Sequence, residues 1–144
     1  MLLPEGGADK VFGGDGDDVF VSYALDGADV LHGGPYHDVA DFGSRFDALE
    51  INLNGFADDG APGEHDNVGP TNDVEEVVGG SGNDTLTAEN FNVTNVLNGG
   101  AGGDTCHTVD SGGDTIDGGD DADEGFVDEL IDTTTNVETV HSTM

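Results

Sequence analysis

Basic residues are almost missing from this chain: Lys10 and Arg45 stand against 32 acidic residues, for a formal net charge of −30 over 144 residues. Phosphate contacts need clustered Lys and Arg, so neither nucleic acid nor an anionic membrane surface is an expected partner. Cys106 is the only cysteine, which excludes an intrachain disulfide and makes it read as a small buried apolar side chain rather than a reactive thiol. No apolar run is long enough to cross a bilayer, so no membrane insertion is expected. The opening Met1-Leu2-Leu3-Pro4-Glu5 carries neither the basic region nor the apolar stretch of a cleaved signal peptide. Hydrophobic residues reach only 34%, too lean for an ordinary two-layer core. Any core must be thin and repetitive, and a charge of this size opposes compaction unless counter-cations join the fold.

What is present in excess is glycine, 25 residues, set at a fixed distance from acidic and apolar residues. Residues 79–87 read Gly-Gly-Ser-Gly-Asn-Asp-Thr-Leu-Thr. Gly79, Gly80 and Gly82 allow a tight turn, Asp84 brings a carboxylate to it, and Thr85-Leu86-Thr87 alternates so that Leu86 alone faces inward. The unit recurs in full at 13–21, with Asp18 and Phe20 in the same places, and at 99–107, with Gly100, Gly102, Asp104 and Cys106. Weaker copies keep Asp29 and Leu31, then Asp38 and Ala40, then Asp47 and Leu49. Later copies keep Glu75 and Val77, Asn95 and Leu97, Asp114 and Ile116, and finally Asp123, with Gly125 in the apolar place. A disordered chain could share this composition but would not need this register. The alternation Leu49, Ile51, Leu53 suggests a strand longer than the others.

The pattern G-G-x-G-x-D-x-U-x, with U a large apolar residue, resembles the RTX family of hemolysin-type calcium-binding nonapeptide repeats, over 13–50 and 70–123. The resemblance implies an all-β fold, a right-handed parallel β-roll (a β-helix or solenoid), in which consecutive units form alternate sides and calcium sits between turns stacked along each edge. Several calcium ions are the expected cofactors and partners. Two repeats apart, Asp84, Asp104 and Asp123 then share one edge and Glu75, Asn95 and Asp114 the other; Asp18 stacks on Asp38, and Asp29 on Asp47. Calcium suits these positions because it takes six to eight oxygens in a tolerant geometry, and turn glycines expose their carbonyls. The five histidines share no ligand spacing for zinc.

One continuous solenoid is thus expected, with a first block over 1–53, an inserted acidic loop over 54–69, a second block over 70–126 and capping strands or a tail over 127–144. The insertion carries Asp58, Asp59, Glu64 and Asp66. Asp59, Glu64 and Asp66 are read either as a further calcium site or as part of a solvated loop. Val127, Leu130, Ile131, Val137 and Val140 are read as a segment that covers the apolar end of the array.

In function, the resemblance implies a secreted, extracellular bacterial module that binds calcium, folds on binding it, and is exported unfolded. The chain shows no HExxH, no G-x-S-x-G and no convergent Ser/His/Asp spacing, so no catalytic residue is expected within it. The alternatives are the calcium-binding tail of a secreted protease, lipase or polysaccharide-active enzyme, whose catalytic domain lies elsewhere in a larger parent chain, and an adhesin-like recognition surface. An ice-binding ladder would repeat one residue in one place, whereas the third repeat position reads Asp15, Pro35, Ser81, Ala101 and Asp120.

Overall fold

The computed structural model describes residues 1–4, 6–23, 27–88, 93–128 and 131–143; Leu130 of the expected cap lies outside them. Among the described residues there is no helix, and every named strand pairs in parallel. Glycine turns and three-residue strands with one inward side chain leave no stretch with helical periodicity, and each strand can bury that side chain only by stacking on its copy in the next coil.

One face is a six-stranded sheet in the order β13 (Thr133–Thr135), β11 (Thr115–Asp120), β9 (Val96–Ala101), β7 (Glu76–Val78), β4 (Val39–Asp41) and β2 (Val19–Val21). Its register stacks Phe20 on Ala40, Val77, Leu97 and Ile116. The opposite face is divided. Its first part pairs β1 (Lys10–Phe12), β3 (Val30–His32) and β6 (Asn67–Val68), and its second pairs β5 (Glu50–Asn52), β8 (Thr85–Thr87), β10 (Thr105–His107), β12 (Glu124–Asp128) and β14 (Thr139–Thr143). Ile51, Leu86, Cys106 and Gly125 form its inward column. Phe20, Leu31, Leu86, Leu97, Cys106 and Ile116 are all at most 3% exposed, so the single apolar position of each repeat is the core. At Gly125 the missing side chain is replaced by Val137, whose Cγ1 stands 3.2 Å from where a Cβ would be. The architecture is a parallel β-roll.

Two expectations need correction. Leu49, Ile51 and Leu53 are all buried, yet β5 is no longer than its neighbours, because the chain leaves the sheet at the insertion. The insertion is not a plain solvated loop: Gly60 bridges antiparallel to Glu50 and Asp59 to Asp66, so residues 59 and 60 lie between the two parts of the divided face. Its last residues form β6, which stacks on β3. β13 and β14 prolong the two sheets by one rung, are exposed throughout, and leave Val140 47% exposed. On the outer surface of this end, His107, Phe126 and His141 stack ring on ring, 4.3 and 4.5 Å apart. Their registered strands place them there, and no nonapeptide position announces it.

Arg45 is the only buried cation among the described residues, 1% exposed. Its guanidinium holds Ser22 Oγ at 3.2 Å, Asp47 Oδ2 at 3.4 Å and Glu64 Oε2 at 3.1 Å, which ties the insertion to the roll. Arg45→Ala would strand a buried Glu64 carboxylate, and a loss of about 3–5 kcal/mol is expected in urea denaturation. The third turn-glycine position is left-handed at Gly16 and Gly102 (φ 105 and 117), and Tyr36 keeps that backbone with φ 94. Tyr36→Gly should therefore raise stability by about 1 kcal/mol in the same assay, the relief of left-handed strain exceeding the added freedom of the unfolded chain.

Candidate metal centre

Most strands are preceded by a turn whose last acidic residue folds back beneath the backbone of the preceding coil. The N–H at that point has no strand partner, and a carboxylate one coil later accepts it. On the first edge Leu49, Asp84, Asp104 and Asp123 donate in turn to Asp84, Asp104, Asp123 and Glu138, at 2.9, 2.7, 2.8 and 2.8 Å. On the second edge Asp18 donates to Asp38 at 2.8 Å and Asp38 to Glu75 at 2.9 Å, and further along Asn95 donates to Asp114 at 2.7 Å and Asp114 to Asp132 at 2.9 Å. Between these pairs Val96 N–H donates to the Glu75 carbonyl, and Asn95 Nδ2 approaches it at 3.4 Å. A third, shorter series runs from Asp9 to Asp29 (2.9 Å) and from Asp29 to Asp66 (2.8 Å).

The stacking of Asp29 on Asp47 is thus overturned. The insertion feeds β6 back onto β3, so Asp66 occupies the next coil above Asp29, while Asp47 is half-exposed and turned to Arg45. Asp59 and Glu64 have other employment. Both Asp59 oxygens accept backbone N–H groups, from Asn52 at 2.5 Å and Val68 at 2.7 Å, and Glu64 is bound to Arg45 and Ala61. Both Asp59 oxygens are thus engaged by the backbone, and Glu64 Oε1, which accepts no hydrogen bond, faces the Arg45 guanidinium at 3.1 Å. Asp9, Asp132 and Glu138 belong to the stacks but escaped the repeat pattern, since Asp132 and Glu138 follow no glycine turn; only their distance of 18 and 15 residues from the aspartate beneath marks them.

One oxygen of each carboxylate is therefore used between coils. The other is left over: Asp38 Oδ2, Asp104 Oδ2, Asp114 Oδ2 and Asp123 Oδ2 are buried with no partner. Asp84 differs, since Gly80 N–H donates to its Oδ2 at 2.7 Å. Buried, unpaired anionic oxygens are costly, and no cation of the chain reaches the other four. A Cβ on Gly99 would overlap both Asp104 Oδ2 and the Gly118 carbonyl, and one on Gly118 both Asp123 Oδ2 and the Asn136 carbonyl, so the first edge presents carbonyl oxygens beside the carboxylates. Among the described residues no three His, Cys, Asp or Glu side chains converge on one point. Such an edge lacks the nitrogen and sulfur ligands of zinc, and it fits a hard cation that accepts carbonyls as well as carboxylates, which is the chemistry of calcium.

A model of the RTX calcium-binding nonapeptide repeat matches four times, at residues 5–22, 23–41, 71–90 and 78–108, a little over half of the chain. The chain belongs to that family. No curated protein matches it. RTX nonapeptide repeats bind calcium and their multiplicity implies several ions, so this chain is a calcium-binding module, and the repeat itself is not catalytic. The matches stop short of 109–123, where the turns have lost glycines although the coil continues.

Burial raises the Asp104 carboxyl from its usual 3.8 to about 6; the Asp84 N–H opposes the rise and the charges of Asp84, Asp123 and Asp121 add to it. Burial does the same at Asp114, to about 6, against the Asn95 N–H and with Asp110, Asp132 and Asp128 nearby. A carboxylate whose folded pKa exceeds its unfolded one favours the fold when protonated, and that contribution is lost as pH rises through about 6. Metal-free protein should therefore gain β structure on acidification from pH 7 towards pH 4, read by circular dichroism. An ion bound at Asp104 or Asp114 would displace those protons, and its apparent affinity would then fall over the same range.

Proposed function

We propose that this RTX module is a calcium-switched folding unit of a secreted protein, with a non-enzymatic, structural role. The observation that carries the reading is the set of buried carboxylate oxygens, one coil apart, that nothing in the chain neutralises. Asp84, Asp104 and Asp123 on one edge, and Asp18, Asp38, Glu75, Asn95 and Asp114 on the other, are the proposed ligands. Carbonyls of the turn glycines, Gly80, Gly82, Gly100 and Gly102 among them, complete the oxygen set. Bound calcium supplies positive charge and oxygen coordination at these edges. The chain's own part is to bring each carboxylate under the backbone of the preceding coil and to repel itself when the ion is absent. Binding free energy thereby becomes folding free energy.

RTX repeats are typical of secreted bacterial proteins, and an unfolded state where calcium is scarce suits export of an extended chain. Association with a catalytic or adhesive domain of a larger parent protein fits the same reading, since the repeat itself is a calcium-binding unit.

The test is a calcium titration of the metal-free chain followed by circular dichroism, with a cooperative rise in β signal expected; no change would end the reading. Cys106 gives an independent readout. It is 1% exposed with its thiol pushed up to about 12, first by burial and then by the charges of Asp104, Asp123 and Asp84. It should resist a thiol reagent in calcium and react promptly after chelation. Among variants, Asp104→Ala should shift the titration to higher calcium more than Asp123→Ala, because Asp104 both accepts from Asp84 and donates to Asp123 in the middle of its edge.

A further inference from the structure

The second edge contains a defect and, beside it, an oddity. Asn95 stands where the repeat calls for aspartate, so that coil offers an amide instead of a charge. Asn95 is fully buried, its N–H donates to Asp114 Oδ1, and its own Oδ1 has no partner. In the next coil, residues 109–117, the second turn glycine is replaced by Asp110. Asp110 has no left-handed φ, unlike Gly14, Gly34, Gly100 and Gly119 in the same place, so the substitution does not strain the backbone. Its N–H is bonded to the Thr108 carbonyl, and its Oδ1 accepts the Gly112 N–H.

Asp110 and Asp114 meet around one glycine. A Cβ on Gly112 would lie 3.0 Å from Asp114 Oδ1 and 3.1 Å from Asp110 Oδ1. The second oxygen of each carboxylate, Asp110 Oδ2 and Asp114 Oδ2, is buried without a partner, and Asp114 is only 1% exposed. Asp132, directly above, is already committed: its Oδ1 holds Asp114 N–H and its Oδ2 holds Asp128 N–H and Thr108 Oγ1. It adds negative charge without a free oxygen. Lys10 lies on β1 and Arg45 is bound to Ser22, Asp47 and Glu64, so neither supplies a counter-charge.

We infer that Asn95, Asp110 and Asp114 form a mixed amide and carboxylate calcium site, in which Asp110, outside the repeat consensus, restores the charge that Asn95 lacks. The inference rests on the calcium reading above and adds a ligand that the nonapeptide pattern does not contain. The three left-over groups are oxygens, two of them charged, which favours calcium over softer or nitrogen-seeking metals. It gives the coil beyond the matched repeats the charge for an ion although its turn has lost two consensus glycines.

The test is equilibrium dialysis of the full chain against calcium chloride with elemental analysis, beside a circular dichroism titration. Asp110→Gly, which restores the consensus residue, should bind one ion fewer than wild type and need several-fold more calcium to fold. Adding Asn95→Asp to it should recover both. Asp120→Asn, with the same change of charge at an exposed position, should bind as many ions as wild type. Unchanged stoichiometry and midpoint in Asp110→Gly would overturn the inference, as would failure of Asn95→Asp to restore the lost ion. A wild-type chain that binds no calcium would instead overturn the calcium reading itself, so the two failures are distinguishable.

Discussion

A backbone N–H held by a carboxylate one coil away is the interaction on which this molecule depends. It closes the gap in the hydrogen-bond pattern where each turn gives way to a strand, and it does so with an ionisable group in a buried place. The same geometry therefore creates order and a charge problem. Along the first edge the acceptors are Asp84, Asp104, Asp123 and Glu138, all of one sign. Neutral hydrogen-bonding side chains could satisfy the backbone without repulsion, but they would offer no charge for a cation to neutralise.

The core is subordinate to this arrangement. One inward side chain per strand, Phe20, Leu86 or Ile116, buries too little by itself to hold a coil closed, and the contribution becomes useful only by repetition. That is why the apolar position tolerates Ala40, Cys106 and even Gly125, with Val137 filling the space, whereas the carboxylate position admits only Asp, Glu or Asn. Composition follows from edge chemistry more than from packing.

The sequence made the repeating part legible because glycine, aspartate and an apolar residue at fixed spacing correspond to turn, edge and core. Strand positions, inward residues and the stack from Asp84 to Asp123 could be read in that way. Legibility ended where the register was broken. The pairing of Asp29 depended on which coil follows it, and a 16-residue insertion changes that without any local sign, so Asp66 rather than Asp47 stands above it. The carboxylates of the insertion read as ligands because acidic clusters usually face water or ions, while Asp59 turns inward to bind two N–H groups; burial then pushes it up to about 7, against those two bonds and with the help of the Asp58 and Asp66 charges. At the other end, Asp132 and Glu138 carry the stacks without glycine turns, so no motif could find them.

The division of one face has a mechanical consequence. Tension applied along the axis of the roll is borne on the six-stranded face by an unbroken series of rung-to-rung bonds from β2 to β13. On the other face, at the insertion, it passes through two antiparallel bridges and the two oxygens of Asp59. The two faces therefore differ in stiffness at that coil, and a load shared equally elsewhere becomes lopsided there, so the roll yields first by opening like a book about the continuous sheet.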